Sequence, residues 1–265
     1  HDSVIAFGGG SALDAGKAIA LLSGQKFALW DFEDKNDNWK KAKTSNIPKI
    51  IAIPTTSGTG SEVGRVSVIT DEEKALKRLI FHHNMLPTIV LLDPELTLRL
   101  PPSLTASTGM DALSHNLEAF CSPVDHPMAR GIAVEGCRLI SENLLEAYKN
   151  GGNIEARGRM LIASTMGATS FQRGLGAMHA LAHSIGGIFD SHHGTLNAIL
   201  MPYVLVTNRY KIEKDIEYLS MCLGLTSTFD SFLDWVLLLR EELGIPHKLS
   251  EIGLSKKSAP IVGKT

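Results

Sequence analysis

Apolar residues recur along the chain with two different periods, and the change falls near residue 102. Short apolar runs at residues 4–7 and 49–53 predict strands, and the helical spacing of residues 12–22 lies between them. The run at residues 49–53 is continuous, as in strands that are buried on both faces of a parallel sheet. Two further strands are predicted at residues 65–70 and 88–92. Strands that alternate with a helix in this order indicate an α/β fold.

From residue 103 onward the apolar pattern is helical, and runs of β-branched residues are almost absent. The predicted helices cover residues 104–120, 127–148, 154–169, 176–185, 195–209, 211–221 and 229–243. The sequence Gly244-Ile245-Pro246 ends the last of them. We therefore expect an α/β domain over residues 1–102 and an all-helical domain over residues 103–265.

The composition is that of an ordinary globular protein. Of 265 residues, 44% are hydrophobic and 20% are charged, and the formal net charge is −2. Because the chain has no long basic run, we expect neither a nucleic acid nor an anionic membrane surface as a partner. No stretch approaches the roughly 20 apolar residues that cross a bilayer, and no signal-peptide pattern opens the chain.

The cysteines argue for a reducing compartment. Cys121, Cys137 and Cys222 are odd in number and share no Cys-x-x-Cys spacing. This pattern disfavours both a disulfide scaffold and a thiolate zinc site. We expect the three to be small buried side chains in a cytoplasmic protein.

A glycine-rich turn at residues 8–11 joins the first strand to the first helix. Glycines let a ligand approach the backbone, and a helix N-terminus offers unpaired N–H groups and the positive end of the helix dipole. The turn is a candidate phosphate seat, and a tight structural turn with Ser11 as the N-cap is the alternative. The carboxylate of Asp14 fits either a ligand contact or stabilisation by the helix dipole.

A second turn, at residues 55–61, contributes five hydroxyls and two glycines directly after a strand. In open α/β sheets ligands bind at the carboxyl ends of the strands. Two such turns could grip a nucleotide from both sides. A solvated loop of serine and threonine is the alternative.

Aspartate and histidine residues recur at four-residue spacing in two predicted helices. Asp111 and His115 form one pair, His179 and His183 form another, and a His-His pair follows at residues 192–193. Residues four apart share a helix face, so each pair presents two donors in one direction. Burying such groups among apolar residues is costly unless they are paired or metal-bound. We expect a divalent-metal site of the zinc or ferrous type, while spacing alone leaves the choice of ligands open.

Five stretches together resemble the iron-containing (group III) alcohol dehydrogenase family. They are GGGSALDAGK at residues 8–17, IPTTSGTGSEV at 53–63, TGMDALSH at 108–115, GLGAMHALAH at 174–183 and HHGTLNA at 192–198. They have the order and spacing of that family and span nearly the whole chain. The resemblance implies a nucleotide-binding α/β part, with an incomplete Rossmann-like parallel sheet, followed by an all-helical metal-binding domain.

The resemblance also implies the residues of the site. The implied metal ligands are Asp111, His115, His179 and His193. His183 would face the nicotinamide and the substrate. The implied cofactor-binding residues are Gly8, Gly9, Gly10, Ser11, Asp14, Thr55, Thr56, Thr59 and Lys77. Without the resemblance, Lys77 would be interpreted as a solvated charge at a strand edge.

The implied activity is reversible hydride transfer between NAD or NADP and a short-chain alcohol, diol or hydroxy acid. A divalent metal, Fe²⁺ or Zn²⁺ and by resemblance iron, would act as a Lewis acid on the substrate oxygen. His183, with a pKa near neutrality, would relay the hydroxyl proton. The partners expected are a small alcohol or aldehyde and further copies of the chain, in a homodimer or higher homo-oligomer.

Two alternatives stay open. A lyase of the dehydroquinate synthase type also uses NAD and a divalent metal, but it needs several basic residues near the metal, and Arg173 is the nearest one here. The other alternative is a catalytically incomplete metal-binding fragment. Family members normally carry more chain at both ends, and this chain begins at His1 within a strand pattern, so we expect a piece of a longer protein.

Overall fold

The computed structural model describes residues 2–74, 76–189 and 191–254. The strands are β1 (Ser3–Gly8), β2 (Lys49–Pro54), β3 (Val66–Asp71), β4 (Leu76–Phe81) and β5 (Ile89–Val90). The helices are α1 (Gly10–Leu22), α2 (Pro102–Cys121), α3 (Pro127–Lys149), α4 (Ile154–Ser170), α5 (Ala177–Phe189), α6 (His193–Cys222) and α7 (Phe229–Glu242). This order confirms the predicted fold class, a small parallel sheet followed by helices.

Three strands form the parallel sheet. β2 lies between β1 and β5 and pairs in parallel with both. Helix α1 covers one face, where Ile50 and Ala52 are buried with Leu13 of the helix. On the other face Ile5 and Phe7 of β1 are exposed. Helix α1 covers only one face of the sheet, so β2 is fully buried on that face alone. The burial on both faces that its continuous apolar run predicted is wrong.

A separate antiparallel hairpin contains β3 and β4. β3 matches the strand predicted at residues 65–70, but it pairs outside the parallel sheet. β4 was not predicted from the sequence, because Lys77 and Arg78 interrupt its apolar pattern. The Arg78 guanidinium forms ion pairs with Asp71 of the hairpin, at 2.8 Å, and with Glu33, which lies outside the hairpin.

Helix α2 is the centre of the helical part and packs against α3, α4 and α6. Its apolar side chains, such as Leu113 and Phe120, are fully buried. Glycines let the neighbouring helices approach it closely. A Cβ atom on Gly136 of α3 would lie 2.0 Å from Asn116 Oδ1, and one on Gly167 of α4 would lie 2.7 Å from Asn116 Nδ2. Polar residues of α2 therefore lie inside the core.

One long helix replaces two predicted ones. Residues 195–209 and 211–221 are both part of α6, whose first half is buried and whose middle is exposed, with Tyr210 at 78%. The exposed middle breaks the apolar pattern. Since neither glycine nor proline lies at that point, the helix continues.

Three further expectations can be compared with the structure. No helix in the described ranges is both long and apolar enough to cross a bilayer. The three cysteines are unpaired, as expected, but only Cys137 is buried, while Cys121 and Cys222 are partly exposed. The domain division stays a prediction: α2 begins at Pro102, and residues 255–265 of the second predicted domain lie outside the described residues.

Candidate metal centre and cofactor turns

Three predicted metal ligands from three helices lie together. Asp111 is in the middle of α2, His179 is near the start of α5, and His193 is the first residue of α6. The Asp111 Oδ1 atom lies 3.9 Å from His179 Nε2 and 3.7 Å from His193 Nε2. One donor atom of each residue lies within 4.8 Å of the other two. These side chains therefore present a carboxylate oxygen and two imidazole nitrogens to one small volume.

His115 lies beside this group of three. Its ring stacks on the His179 ring, with centroids 4.5 Å apart, and the Phe171 ring lies 5.0 Å away. Its Nδ1 atom lies 3.2 Å from the carbonyl oxygen of Gly58. A carbonyl only accepts, so Nδ1 carries the proton and Nε2 keeps its lone pair. This tautomer leaves Nε2 able to bind a metal. That His115 is the fourth ligand stays a prediction.

The side-chain amide of Asn197 occupies the point where the three donors converge. Its Nδ2 atom lies 2.8 Å from Asp111 Oδ1 and 3.2 Å from the Nε2 atoms of both His179 and His193. An amide has two protons for these three acceptors. Within the described part of the chain, His193 Nδ1 and Asn197 Oδ1 are buried without a hydrogen-bond partner. More hydrogen-bond acceptors than protons, next to buried polar atoms that lack a partner, fit a site that binds a cation.

Burial sets the charge of this centre. It lowers the pKa of His115 and of His193 to about 4, so both imidazoles are neutral at pH 7 and can act as ligands. Burial alone would raise the pKa of the Asp111 carboxyl, but the surrounding imidazoles and the Asn197 amide outweigh it and hold that pKa at about 2. A carboxylate beside the neutral imidazoles of His115 and His193 is a ligand set that suits a divalent metal.

Gly194 allows the first turn of α6 to lie against α2 at the candidate metal centre. A Cβ atom on Gly194 would lie 2.3 Å from the backbone oxygen of Ser107 and 3.2 Å from Asp111 Cβ. Only a residue without a side chain lets the first turn of α6 approach α2 so closely. The glycine after the His-His pair in the sequence thus places His193 against Asp111.

Glu118 is a site residue that sequence reasoning missed. Its carboxylate accepts a hydrogen bond from His179 Nδ1 at 2.6 Å and is 8% exposed. Burial raises the pKa of this carboxyl, but hydrogen bonds from His179 and from the start of α5 lower it below its usual range. The available signal was its position seven residues after Asp111, on the same helix face.

The two predicted turns lie against each other. The Thr55 amide donates to the Gly8 carbonyl at 3.0 Å, and a Cβ atom on Gly10 would lie 2.7 Å from Thr59. Helix α1 begins at Gly10, and its N-cap is Gly9, without a side-chain hydrogen bond. The alternative in which Ser11 caps this helix is therefore wrong, because Ser11 lies inside the first turn. Among the predicted cofactor residues, Thr56 lies opposite Gly9.

Asp14 connects α1 to the second turn. Its Oδ1 atom accepts from Ser61 Oγ at 2.6 Å, and Oδ2 accepts from the Val68 amide at 3.0 Å. The buried Lys17 ammonium lies 3.0 Å from Asp14 Oδ1 and also donates to the Ser61 carbonyl at 3.0 Å. Both carboxylate oxygens are therefore used within the protein. This geometry favours a positioning role for Asp14 over direct contact with a cofactor.

His183 and Lys77 border the same region. The His183 ring lies 4.8 Å from the His193 ring, and burial together with neighbouring imidazoles lowers its pKa to about 4. That value is well below the near-neutral pKa expected from the sequence. Lys77 on β4 is half-buried, and a Cβ atom on Gly186 of α5 would lie 3.5 Å from its Nζ atom. Its ammonium faces the α5 side of the centre, so a solvated strand-edge charge is the wrong interpretation.

Comparison with known proteins identifies the family of the chain. Residues 1–94 match the family described as iron-containing alcohol dehydrogenase, and residues 105–264 match the C-terminal part of the Fe-containing alcohol dehydrogenase family. The chain belongs to the iron-containing alcohol dehydrogenase family. This membership confirms the resemblance found in the sequence.

Curated and solved relatives of this alcohol dehydrogenase family cover almost the whole chain. Alcohol dehydrogenase 4 of Saccharomyces cerevisiae is 36% identical, over 98% of this chain and 68% of its own length. The 1,3-propanediol dehydrogenase of Citrobacter freundii is 34% identical, over 99% and 69%. A crystal structure of 1,3-propanediol oxidoreductase has a TM-score of 0.90 at 32% identity, over 99% and 70%. These relatives support a metal-dependent alcohol dehydrogenase activity, as the sequence predicts.

A cofactor complex is known among the structural relatives. The structure of sulfoacetaldehyde reductase from Bifidobacterium kashiwanohense in complex with NAD⁺ has a TM-score of 0.89 at 29% identity, over 99% of this chain and 69% of that chain. Arg173, the basic residue that lies nearest to the metal segments in the sequence, is engaged elsewhere. Its guanidinium donates to the carbonyls of Ala119, Ser122 and Val124 at the end of α2. The Arg173 side chain thus caps the C-terminal end of α2.

Proposed function

We propose that Asp111, His115, His179 and His193 hold the metal of this alcohol dehydrogenase, and that the metal is Fe²⁺, with Zn²⁺ as the alternative. The observation that carries the proposal is the meeting of three donor atoms around the amide of Asn197. One carboxylate and neutral imidazoles suit both ions. The family description favours iron.

A divalent cation in this position supplies Lewis acidity to a substrate oxygen. Among the proposed ligands only Asp111 carries a negative charge, while His115 and His193 offer neutral imidazole lone pairs, and the Glu118 carboxylate lies behind His179. Burial of Asp111, His115 and His179 keeps water away from these ligands. In such surroundings electrostatic attraction for a developing alkoxide is stronger than it would be in water.

We propose that the paired turns at residues 8–11 and 55–59 hold a nicotinamide cofactor, NAD or NADP. The uncapped N-terminus of α1 at Gly9 offers N–H groups and the positive end of a helix dipole to a pyrophosphate. Thr55, Thr56 and Thr59 add hydroxyls from the second turn, directly beside the glycines. Asp14 keeps the two turns together in this proposal.

His183 is proposed to handle the substrate proton. Its half-buried ring lies next to His193 and is neutral at pH 7, and with a pKa of about 4 it would hold a hydroxyl proton only briefly before passing it on. Lys77 lies on the same side and is proposed to reach the cofactor ribose. The positive charge of Lys77 also lowers the pKa of His183, because it repels a proton on that ring.

The proposed substrates are short-chain alcohols, diols or hydroxy acids. Relatives of the chain are named as alcohol, 1,3-propanediol and 4-hydroxybutyrate dehydrogenases. We further propose a cytoplasmic homodimer or higher homo-oligomer, as the family resemblance implies.

A substrate panel tests the proposal. The chain, prepared with and without air, is assayed with short alcohols, diols and hydroxy acids and with each nicotinamide. We expect turnover that is lost in air and restored by ferrous salt, and absent in the Asp111→Asn variant. Asp215→Asn, which removes an ion pair with Arg130 on the helical surface, is the matched control and should remain active. Metal-loaded protein that oxidises none of these compounds would contradict the proposal.

A further inference from the structure

We infer that Glu118 is a positioning residue, which fixes His179 as a metal ligand and anchors the start of α5. The inference rests on the proposed metal site. It concerns a carboxylate that is not itself a predicted ligand.

All strong acceptors of Glu118 are already engaged. Oε2 accepts from His179 Nδ1 at 2.6 Å and from the Gly176 amide at 2.9 Å. Oε1 accepts from the Met178 amide at 2.8 Å. Both oxygens are thus engaged by donors at the start of α5 and on His179, so we expect Glu118 to act on the metal through His179.

The bond to Nδ1 decides which nitrogen of His179 is a ligand. Since a carboxylate only accepts, Nδ1 carries the proton, and Nε2 keeps the lone pair that faces Asp111 and His193. A hydrogen-bonded carboxylate behind a ligating imidazole fixes its tautomer and ring orientation. Without Glu118 the ring could rotate or carry its proton on Nε2, and either change removes a ligand.

The two amide bonds hold α5 in place. Gly176 and Met178 flank the first residue of α5, where N–H groups lack partners inside the helix. A negative charge there also interacts favourably with the helix dipole. Glu118 thus places the segment that carries His179 against α2, the helix that supplies Asp111 and His115.

The space around the carboxylate depends on Gly176. A Cβ atom on Gly176 would lie 2.8 Å from Glu118 Oε1, the far end of a flexible side chain. Gly176→Ala should therefore displace the carboxylate without removing its charge. This variant provides a second, milder way to disturb the same contact.

Metal affinity tests the inference. Metal-free protein is titrated with Zn²⁺ against a competing chelator, and the visible spectrum of the Co²⁺-loaded protein reports the coordination geometry. We expect Glu118→Gln to weaken Zn²⁺ binding about 10- to 100-fold and to change the Co²⁺ spectrum. Gly176→Ala should cause a smaller loss in the same direction.

Thr228→Ala is the matched control. Thr228 caps α7, where its hydroxyl accepts from the Ser231 amide at 3.1 Å, and it is not part of the metal centre. Both Glu118→Gln and Thr228→Ala remove a helix cap and should lower the melting temperature of the metal-free protein. Only Glu118→Gln should lower Zn²⁺ affinity. Equal Zn²⁺ affinity in Glu118→Gln and the parent would overturn the inference.

A double-mutant cycle tests whether Glu118 acts through His179. In a His179→Ala background, Glu118→Gln should change Zn²⁺ affinity less than twofold, because the ring it positions is absent. A full loss in that background would instead place Glu118 in direct contact with the metal and refute the positioning role.

If the substituted proteins do not fold, the parent gives the answer. Imidazole ¹⁵N NMR of the metal-free protein should show the Nδ1–H tautomer of His179, and the Nε2–H tautomer would overturn the inference. Failure of the proposed metal site is distinguishable, because then the parent itself binds no Zn²⁺.

Discussion

The Nδ1 atom of His115 lies 3.2 Å from the backbone carbonyl of Gly58. Gly58 belongs to the turn at residues 55–61, which is proposed to hold the cofactor, and His115 is a proposed metal ligand. A Cβ atom on Gly58 would also lie 2.9 Å from Thr108 of α2, so the turn and the helix are in close contact. One hydrogen bond thus links the two halves of the proposed active site.

This link predicts that metal and cofactor bind cooperatively. A metal that orders His115 also orders the Gly58 carbonyl and the turn beside it, and thermodynamic linkage makes the effect reciprocal. We expect Zn²⁺ to lower the dissociation constant for NADH by about fivefold, a coupling near the lower end of the usual range. Fluorescence titration of metal-free and Zn²⁺-loaded protein measures it. Identical affinities would show that the bond transmits nothing.

Replacing Asn197 by aspartate should increase the affinity of the candidate metal centre for a cation. The new carboxylate would stand within hydrogen-bond distance of the Asp111 carboxylate, where the amide now donates at 2.8 Å. Loss of that donor and repulsion between like charges should destabilise the metal-free protein by roughly 1–3 kcal/mol. Melting curves with and without Zn²⁺ check this, and the metal-induced rise should be larger in Asn197→Asp than in the parent. An equal rise would contradict the placement of Asn197 at the centre.

Gly194 should resist substitution where another helical glycine does not. Gly194→Ala places a methyl group 2.3 Å from the Ser107 backbone oxygen, so the start of α6 must move away from α2. We expect a loss of about 1–3 kcal/mol of stability together with weaker metal binding. Gly131→Ala on α3, where nothing lies within 4 Å of the new Cβ atom, is the control and should be neutral or stabilising. Urea denaturation distinguishes them, and similar effects in both variants would count against the close helix approach.

Glu62 gives a prediction with a defined pH dependence. It is 2% exposed and accepts a hydrogen bond from Thr165 at 2.8 Å, and burial raises the pKa of its carboxyl above the ordinary 4.5. The folded state therefore binds a proton that the unfolded state releases, so this group's contribution to stability falls as pH rises above about 4.5.

Removing that charge should stabilise the protein most at high pH. Glu62→Gln keeps an oxygen for Thr165 but cannot ionise, so its melting temperature relative to the parent should be higher at pH 8 than at pH 5. Melting curves at the two pH values provide the test. A difference that is constant with pH, or larger at pH 5, would mean that Glu62 is not held with a raised pKa.

Local patterns pointed to the residues of the candidate metal centre because aspartate and histidine recur there at helical spacing. Asp111 and His115 lie four apart, so a shared face follows from helix geometry whatever the tertiary structure. The glycine turn and the threonine turn were also predictable, since both directly follow strands of the parallel sheet. Convergence of the two turns required only the rule that parallel strands end at one edge.

Other site features depend on long-range packing that no local pattern contains. Glu118 looks like an ordinary helix charge until α5 lies against α2 and brings His179 within 2.6 Å. Lys77 looks solvated until β4 pairs with β3 and faces α5. The near-neutral pKa expected for His183 was wrong because burial and the neighbouring imidazoles of His193 and His179 lower it, and the local sequence contains neither effect.

We propose that residues of α2, α5 and α6 hold one cation. Anomalous diffraction from crystals grown with Fe²⁺ or Zn²⁺, recorded at the absorption edge of the metal, locates that cation directly. We expect a single strong peak per chain, within about 2.0–2.3 Å of donor atoms of Asp111, His179 and His193, with His115 completing the set. A peak bound elsewhere, or metal-loaded crystals without a peak between these residues, would contradict it.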